Sequence, residues 1–169
     1  MLASLRLRPT DLNDIEGIRE VAIETWNSTY ELIYPEHFIA NFLNHAYSKS
    51  SLEQSISHDQ TRSSRKFLVA EVDGEIIGFG QLSDPVDGRS ELTRLYVLKE
   101  YQRTGIGKAL LNELIRLDSS IKEIFALVER DNGIGTLFYQ SNGFVFVEEN
   151  EEVIFDHHTI LAKYVKQIS

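Results

Sequence analysis

The residues most suited to binding an anion lie in the stretch KEYQRTGIGKALL, residues 99–111. Gly105 and Gly107 stand two residues apart, and Arg103 and Lys108 flank them. The stretch follows an apolar run and precedes a helical pattern, so its backbone N–H groups would point out of the start of a helix. The helix dipole favours a negative charge at that end, and phosphate groups bind there in many proteins. The pattern therefore predicts a local anion site.

Spacing separates the phosphate-binding motifs that use such a turn. The P-loop pattern G-x-x-x-x-G-K-[ST] fails, because Gln102 stands at its first glycine and Ala109 at its hydroxyl residue. The dinucleotide pattern G-x-G-x-x-G fails because Leu110 stands at its third glycine, and no acidic residue ends a following parallel strand. A turn whose glycines only relieve backbone strain remains open at this point.

Hydrophobic periodicity predicts the elements of the first half of the chain. They are a strand from Leu5 to Pro9, a helix over about 12–26 capped by Thr10 or Asp11, a helix with Pro35 at its first position, and a short helix near 52–56. The first helix is expected to bury the stripe Leu12, Ile15, Ile18, Val21 and Ile23. The sequence HDQTRSSR, residues 58–65, is typical of a polar loop.

Asp73-Gly74, between two apolar runs, predicts a β-hairpin with strands at 67–70 and 76–79. The later pattern predicts strands at 92–98 and 124–128, helices at 104–117 and 132–141, and closing strands at 144–147 and 159–165. This order indicates an α+β fold in which helices flank a mixed sheet. The length predicts one domain over residues 1–169.

The composition excludes several classes of function. The chain has no cysteine, which excludes disulfides, thiolate catalysis and cysteine zinc sites, and which fits a cytoplasmic protein. Its net charge of −9 argues against nucleic acid and favours cationic or neutral partners. No apolar run approaches the roughly 20 residues that cross a bilayer, and the first residues lack the apolar segment of a secretory signal. We therefore expect a soluble cytoplasmic protein without a nucleic acid or membrane partner.

Three motifs in order resemble the GNAT superfamily of N-acetyltransferases, and the resemblance covers nearly the whole chain. QRTGIG at 102–107 fits the pattern Q/R-x-x-G-x-G/A, and ELTRLYV at 91–97 matches the strand before it. NGIGTLFYQSNGF at 132–144 resembles N-x-x-A-x-x-F-Y-x-x-x-G-F, with Gly135 in place of the usual Ala. The resemblance implies the GNAT fold: a mixed, mostly antiparallel sheet of six to seven strands with splayed central parallel strands, flanked by about four helices.

The resemblance implies acetyl-CoA as the cosubstrate and no metal. In the family the glycine loop holds the pyrophosphate, and missing β-carbons at both glycines would let the amides close on it. The loop residues implied to bind the cofactor are Gln102, Arg103, Thr104, Gly105, Ile106, Gly107 and Lys108. Freed backbone groups of Leu95, Tyr96 and Val97 would bind the pantetheine and the thioester. Asn132 would line the same ligand, and Gly135 would leave room for it.

Acetyl transfer to an amine needs a base, a polarised carbonyl and a proton for the leaving thiolate. Glu91, 11 residues before Gln102, stands where some family members place the base. The alternative is that Glu91 is a surface residue and that other groups or a water chain remove the proton. A backbone N–H near Leu95 or Tyr96 would polarise the carbonyl. Tyr139 matches the family's general acid, since a phenol of pKa about 10 is protonated at pH 7, and a packed core tyrosine is the alternative. We expect the acetyl group to pass directly from the thioester to the amine in a ternary complex of the protein with both substrates.

The sequence signals for the acceptor site are less specific than the cofactor motifs. ETWNSTY and PEHF resemble the bacterial branch related to spermidine/spermine acetyltransferases, and Trp26, Tyr30 and Tyr34 would flank an alkyl chain or a cation unless they serve helix packing. The run EENEE at 148–152 would attract a polyamine, although a charged hairpin tip is its commoner meaning. Neighbouring His157 and His158 cannot readily share one metal ion, because adjacent strand residues face opposite sides.

These motifs favour an acetyl-CoA-dependent N-acetyltransferase that acts on a primary amine of a small molecule or polyamine. Acetylation of a protein or peptide, a non-catalytic acyl-CoA-binding module, and a domain without a ligand are the alternatives. The sequence leaves the acceptor, the pathway and the oligomeric state, monomer or homodimer, open.

Overall fold

A computed structural model describes residues 4–169 and contains within them seven strands and five α-helices. In chain order the elements are β1 (Leu5–Pro9), a 3-10 turn (Leu12–Asp14), α1 (Ile15–Tyr30), α2 (Glu36–Ala46), α3 (Lys49–Gln60), β2 (Phe67–Val72), β3 (Glu75–Leu82), β4 (Arg89–Val97), a 3-10 turn (Lys99–Tyr101), α4 (Ile106–Arg116), β5 (Glu123–Glu129), α5 (Gly133–Ser141), β6 (Val145–Ile154) and β7 (His157–Gln167). The predicted α+β class is confirmed, and the five helices are those that periodicity predicts, one more than the about four that the resemblance implies. None of the helices in the described part of the chain is long and apolar enough to cross a bilayer.

The sheet has the strand order β1-β2-β3-β4-β5-β7-β6. All neighbours are antiparallel except the central pair, β4 and β5. This parallel pair extends over Arg89–Glu91 against Glu123–Phe125 and then stops, although both strands continue. The two strands therefore part toward their carboxyl ends, which confirms the predicted splay. We call the opening between them the splay.

Two hydrophobic cores lie on opposite faces of the sheet. Helices α1, α2 and α3 pack on one face, called the α1 face, and α4 packs on the other, the α4 face. Strand β2 serves both cores, because Phe67 and Val69 point to the α1 face while Leu68 and Ala70 point to the α4 face. A strand buried on both sides reads as a continuous apolar run, as FLVA does here.

A β-bulge lies in β4 just after the splay opens. Gln81 pairs with Arg94 and the next residue of β3 pairs with Leu92, so Thr93 has no partner on β3. Leu92 packs in the α4-face core, but Arg94, two residues later, stacks over Tyr47 on the α1 face. Residues two apart in a regular strand share a face, so the bulge inverts the side-chain pattern of β4 beyond this point.

The predicted burial of two residues in the apolar stripe of α1 is wrong. Leu12 is 48% exposed and Ile23 is 45% exposed, whereas Ile15, Ile18 and Val21 are buried as expected. Leu12 lies in the 3-10 turn that precedes the helix. Ile23 follows Val21 by two residues, which is about 200° around a helix and places it on the opposite side.

The helix ends also differ from the predictions. Asp11 caps the first turn as expected, but α1 continues to Tyr30, and Pro35 is the residue before α2 rather than its first residue. Helix α3 continues to Gln60 and so includes part of the predicted polar loop. Asp59 in that part is fully buried. Its carboxylate is satisfied there, since it accepts hydrogen bonds from Arg65 Nε and the backbone N–H of residue 66, both at 2.7 Å.

The acidic run at 148–152 is not a hairpin tip. It lies inside β6, the last strand of the sheet, where residues 145–153 are exposed. The turn to β7 is Phe155-Asp156, whose φ values of 47° and 62° are left-handed. The predicted hairpin at Asp73-Gly74 is confirmed, with φ values of 52° and 82°. Both turns have the pair of positive φ values that twisted hairpins favour.

Candidate active site

The start of α4 carries a run of free backbone donors. The N–H groups of residues 103–108 donate to no acceptor within residues 4–169, and Ala109 is the first to bond along the helix, to Gly105 O at 2.9 Å. Arg103 and Gly105 have left-handed φ values of 63° and 90°, which turn the chain tightly into the helix. The first turn of α4 has no acidic residue that would offset its dipole. This turn can therefore hold an anion with backbone groups alone.

The two glycines of the turn have different roles. A β-carbon at Gly105 would meet nothing within 4 Å, so the space beside it is open. A β-carbon at Gly107 would lie 3.0 Å from Cε1 of Phe138 on α5. Gly107 therefore admits a ring of the protein itself, which corrects the expectation that both glycines make room for a ligand.

Three other side chains brace the turn. Gln102 Nε2 donates to Val97 O at 3.0 Å, and Thr104 Oγ1 donates to Tyr101 O. Ile106 is buried in the α4-face core. These contacts leave the backbone of the turn as its binding surface, while Arg103 and Lys108 remain exposed beside it and add positive charge.

The splay frees backbone groups on β4. Leu95, Tyr96 and Val97 pair with β3, but no residue of β5 pairs with them among the described positions. Backbone N–H and C=O groups that face the splay therefore lack ladder partners and can bind an extended ligand. This segment lies just upstream of the amide turn, so the two backbone surfaces form one continuous path.

Glu91 lies at the point where the splay begins, because it is in the last residue pair between β4 and β5. Its backbone N–H donates to Ser83 Oγ at 2.8 Å, which anchors the residue. Leu92 points to the α4 face, so the Glu91 side chain points to the α1 face. The side chain is partly buried, and burial raises the pKa of its carboxyl group. A partly desolvated carboxylate is a better base than a surface glutamate.

Tyr139 approaches the same point from α5. Its ring packs against Phe144 and Tyr164 with centroid distances of 5.1 Å and 6.0 Å. Burial, and then the nearby charge of Glu91, raise its pKa to about 12. The phenol is thus protonated at neutral pH and its ring packs against the α4-face core, while its role as an acid at the splay stays a prediction.

Asn132 caps α5 with its side chain. Its Oδ1 accepts a hydrogen bond from the backbone N–H of Gly135 at 3.0 Å, and its Nδ2 donates to Tyr30 OH at 3.4 Å. A β-carbon at Gly135 would lie 2.8 Å from Asn132 Nδ2 and 3.0 Å from Val128 Cγ2. Gly135 therefore makes room for Asn132 and Val128, and not for a cofactor as expected.

The three aromatic residues proposed for the acceptor belong to the α1-face core. Trp26, Tyr30 and Tyr34 are all less than a tenth exposed, and neighbouring rings in this series lie 4.3 Å and 5.3 Å apart. The hydroxyl of Tyr34 is hydrogen-bonded to Thr159 Oγ1 at 2.7 Å. Helix packing is thus the main role of these rings.

A cleft of about 250 Å³ opens beside these rings, and we call it the acidic cleft. Its lining residues are Ile33, Tyr34, Glu129, Arg130, Asp131, Glu151, His157, His158, Thr159 and Ile160. Three carboxylates and one guanidinium give the lining a formal charge of −2 with neutral histidines. His158 Nδ1 forms a hydrogen bond with Glu151 Oε1 at 3.0 Å, while the ring centroid of His157 lies 5.1 Å from that of Phe38. The two histidines therefore point apart, as predicted.

Sequence reasoning missed Glu129. This residue ends β5 three positions before Asn132, and it is buried, with a carboxylate that accepts the Asp131 N–H at 2.6 Å. Burial raises the pKa of its carboxyl group. An acidic residue at the carboxyl end of a buried strand, directly before a motif asparagine, was the available signal.

Comparisons with known proteins identify relatives of the same architecture. Residues 63–146 match the family model described as "Acetyltransferase (GNAT) domain". A spermidine N(1)-acetyltransferase from Thermoplasma acidophilum is 37% identical over 143 residues, which is 83% of this chain and 88% of the relative.

Two solved structures share the fold. PaiA N-acetyltransferase from T. acidophilum in complex with coenzyme A has a TM-score of 0.82 and 34% identity, covering 98% of this chain and 99% of that one. YncA from Salmonella typhimurium, solved with its cofactor acetyl-CoA, has a TM-score of 0.75 at 19% identity, covering 99% and 95% of the two chains. The second likeness concerns the fold alone.

We predict that Gly105→Val abolishes binding of coenzyme A, because a branched side chain would fill the open space beside the free amides. Isothermal titration calorimetry measures the effect. Gly74→Val is the matched control, since Gly74 also has a left-handed φ and open surroundings but lies in the β2–β3 turn. Both variants strain the backbone, so a similar loss of melting temperature with loss of binding only in the first is expected. Unchanged binding in Gly105→Val would exclude the amide turn as the site.

Proposed function

Because the chain belongs to the GNAT family of N-acetyltransferases, we propose that it transfers the acetyl group of acetyl-CoA to a primary amine of a small polycation of the polyamine class. The observation that carries this acceptor is the acidic cleft, whose lining residue Tyr34 has its ring 5.3 Å from that of Tyr30. The T. acidophilum relative named a spermidine N(1)-acetyltransferase supports the same class.

The described residues fit acetyl-CoA as the cosubstrate. The free amides of 103–108 suit a diphosphate, and the unpaired backbone of Leu95–Val97 suits the pantetheine amides. The cosubstrate supplies a thioester carbon that an amine can attack. We assign the binding role mainly to backbone groups, with Arg103 and Lys108 adding charge, and we assign Gln102, Thr104 and Ile106 the role of shaping the turn.

Glu91 is the proposed base and Tyr139 the proposed acid. The acceptor arrives as an ammonium ion with a pKa near 10.4, so a proton must leave nitrogen before it can attack. Glu91 takes this proton, directly or through water, and the N–C bond forms as the C–S bond breaks. Tyr139 gives its proton to the departing sulfur, and the second proton that nitrogen loses as the amide forms restores the phenol, directly or through water. Both steps take place in one ternary complex, without a covalent enzyme intermediate.

The acidic cleft would hold the distal ammonium groups of the acceptor. Its carboxylates come from the end of β5 and from β6, and Tyr34 contributes an aromatic ring to its lining. A cation in this cleft gains Coulomb attraction, and its alkyl chain can lie along the aromatic rings. A monoamine has no second charge for the cleft, so the arrangement favours di- and polyamines.

A thiol-release screen tests this function. The purified chain and acetyl-CoA are incubated with spermidine, spermine, putrescine, amino acids, aminoglycosides and N-terminal peptides. We expect the highest kcat/KM with a polyamine. A peptide as the best acceptor would support protein acetylation instead. Binding of acetyl-CoA without thiol release for any amine would indicate a non-catalytic module.

We predict that Glu151→Gln raises the KM for the polyamine by up to about 5-fold, because an exposed ion pair contributes about 0.2–1 kcal/mol. The KM for acetyl-CoA stays unchanged. Glu152→Gln is the control, since it removes the same charge from the next residue of β6 but does not line the cleft. Steady-state kinetics at low ionic strength provide the measurement. Equal effects of the two substitutions would mean that only the overall charge matters.

We predict that Glu91→Gln lowers kcat by about 100-fold, the lower end of what general base catalysis contributes. Glu91 must be deprotonated to act, so the wild-type kcat rises with pH through the raised pKa of this group. The variant lacks that rise in a pH profile of kcat at saturating polyamine. Its melting temperature at pH 8 is unchanged or higher, because folding no longer desolvates a charge. A variant with wild-type kcat would exclude Glu91 as the base.

A further inference from the structure

Glu129 is a buried carboxylate that forms no ion pair with any residue of 4–169. It is 7% exposed, and its neighbour Arg130 is directed to Asp131 and Glu149 instead, at 3.9 Å and 3.6 Å. Its Oε2 accepts the Asp131 N–H, while its Oε1 has no donor in this part of the chain. Buried charges in proteins are normally paired. Because Glu129 lines the acidic cleft, its free oxygen is available to a cation that enters the cleft.

Strand β5 places Glu129 on the same face of the sheet as Glu91. Ala126 and Val128 belong to the α4-face core, and side chains alternate along a strand, so Leu127 and Glu129 point to the α1 face. The Glu91 side chain also points to that face. The proposed base and the unpaired carboxylate of the cleft therefore lie on one side of the sheet.

The register of the parallel pair gives the separation of the two glutamates along the strands. Glu91 pairs with Phe125, and Glu129 ends β5 four residues further on. Each strand residue advances about 3.3 Å, so Glu129 lies about 13 Å beyond the level of Glu91. Leu127 lies midway between these levels and is 44% exposed. The α1 face thus presents a carboxylate, an apolar side chain and a second carboxylate in succession.

Lys163 makes the two ends of this succession electrostatically different. Its Nζ lies 5.0 Å from the centroid of the Phe125 ring, and Phe125 is the residue that pairs with Glu91. Coulomb repulsion from Lys163 disfavours an ammonium ion near this end, whereas the unpaired charge of Glu129 favours one at the other end. A diamine bound along the α1 face is therefore oriented with its neutral nitrogen toward Glu91 and its charged nitrogen toward Glu129.

We propose that Glu129 binds an ammonium group of the acceptor about 13 Å from the reacting amine, so that the protein selects long di- and polyamines by their length. The inference rests on the proposed function and narrows its substrate class. Bond lengths near 1.5 Å and angles near 111° give an extended chain an advance of about 1.25 Å per bond. The terminal nitrogens of spermidine, nine bonds or about 11 Å apart, approach the required span, but those of putrescine, five bonds or about 6 Å apart, do not.

A series of α,ω-diamines from 1,4-diaminobutane to 1,12-diaminododecane tests the length preference by thiol release. Monoamines of the same chain lengths control for apolar contact, so the ratio of the two kcat/KM values isolates the effect of the distal ammonium group. We expect the highest ratio near 1,9-diaminononane, whose nitrogens are ten bonds or about 13 Å apart. Assays are run at pH 8, because burial raises the pKa of the Glu129 carboxyl group and the charged form is required. A ratio that does not vary with length would overturn the proposal.

Glu129→Gln removes the charge but keeps an oxygen that can accept the Asp131 N–H. We expect kcat/KM for 1,9-diaminononane to fall by about 10- to 100-fold, as when a hydrogen bond to a charged group is lost, and the length preference to disappear. Glu151→Gln is the matched control, because it removes the same charge from an exposed residue of the cleft. Its smaller loss should leave the preferred length unchanged. Thermal melting confirms that both variants are folded.

Calorimetry of 1,9-diaminononane gives a readout that needs no turnover. We expect weaker binding to Glu129→Gln than to Glu151→Gln, and equal affinities of these two variants would contradict a specific role of Glu129. A Glu129→Gln variant that keeps the wild-type length preference would also overturn the proposal. If the wild type acetylates no amine, the proposed function fails, but calorimetry still decides whether Glu129 binds the ammonium group.

Discussion

The separation of β4 and β5 is the constraint on which the site depends. A parallel ladder that continued beyond Glu91 would use the backbone groups of Leu95–Val97 for sheet pairing, and the space for a thioester would be closed. The strands can part because each keeps a partner on its other side, β3 for β4 and β7 for β5. The opening is therefore supported by a complete sheet, and Glu91 lies at its closed end.

Much of this could be predicted from the sequence, because the site uses local backbone geometry that leaves a signature. The strand, the glycine turn and helix α4 follow from apolar periodicity and from two closely spaced glycines. Asn132 and Tyr139 were identifiable by their spacing and by family resemblance. Sequence alone could not separate the roles of glycines 105, 107 and 135. Gly105 leaves open space, while Gly107 and Gly135 admit side chains that arrive from elsewhere in the fold.

Other features depend on which elements meet in space. Family resemblance implies a bulge in ELTRLYV, but the residue types do not fix its position at Thr93, which decides that Arg94 and Tyr96 point to the α1 face. The expected burial of Ile23 was wrong by helical periodicity itself, because Ile23 lies about 200° around the helix from the buried Val21. The link between Asn132 and Tyr30 joins positions 102 residues apart, so only the tertiary structure could place them together.

The acidic edge strand β6 has a consequence for the protein in concentrated solution. A strand at the end of a sheet offers unsatisfied backbone groups to any other extended chain. If two copies joined edge to edge in antiparallel fashion about Asn150, Glu149 would face Glu151 of the other copy and Glu148 would face Glu152. Repulsion between these carboxylates protects an otherwise exposed ten-residue strand from pairing with a second copy.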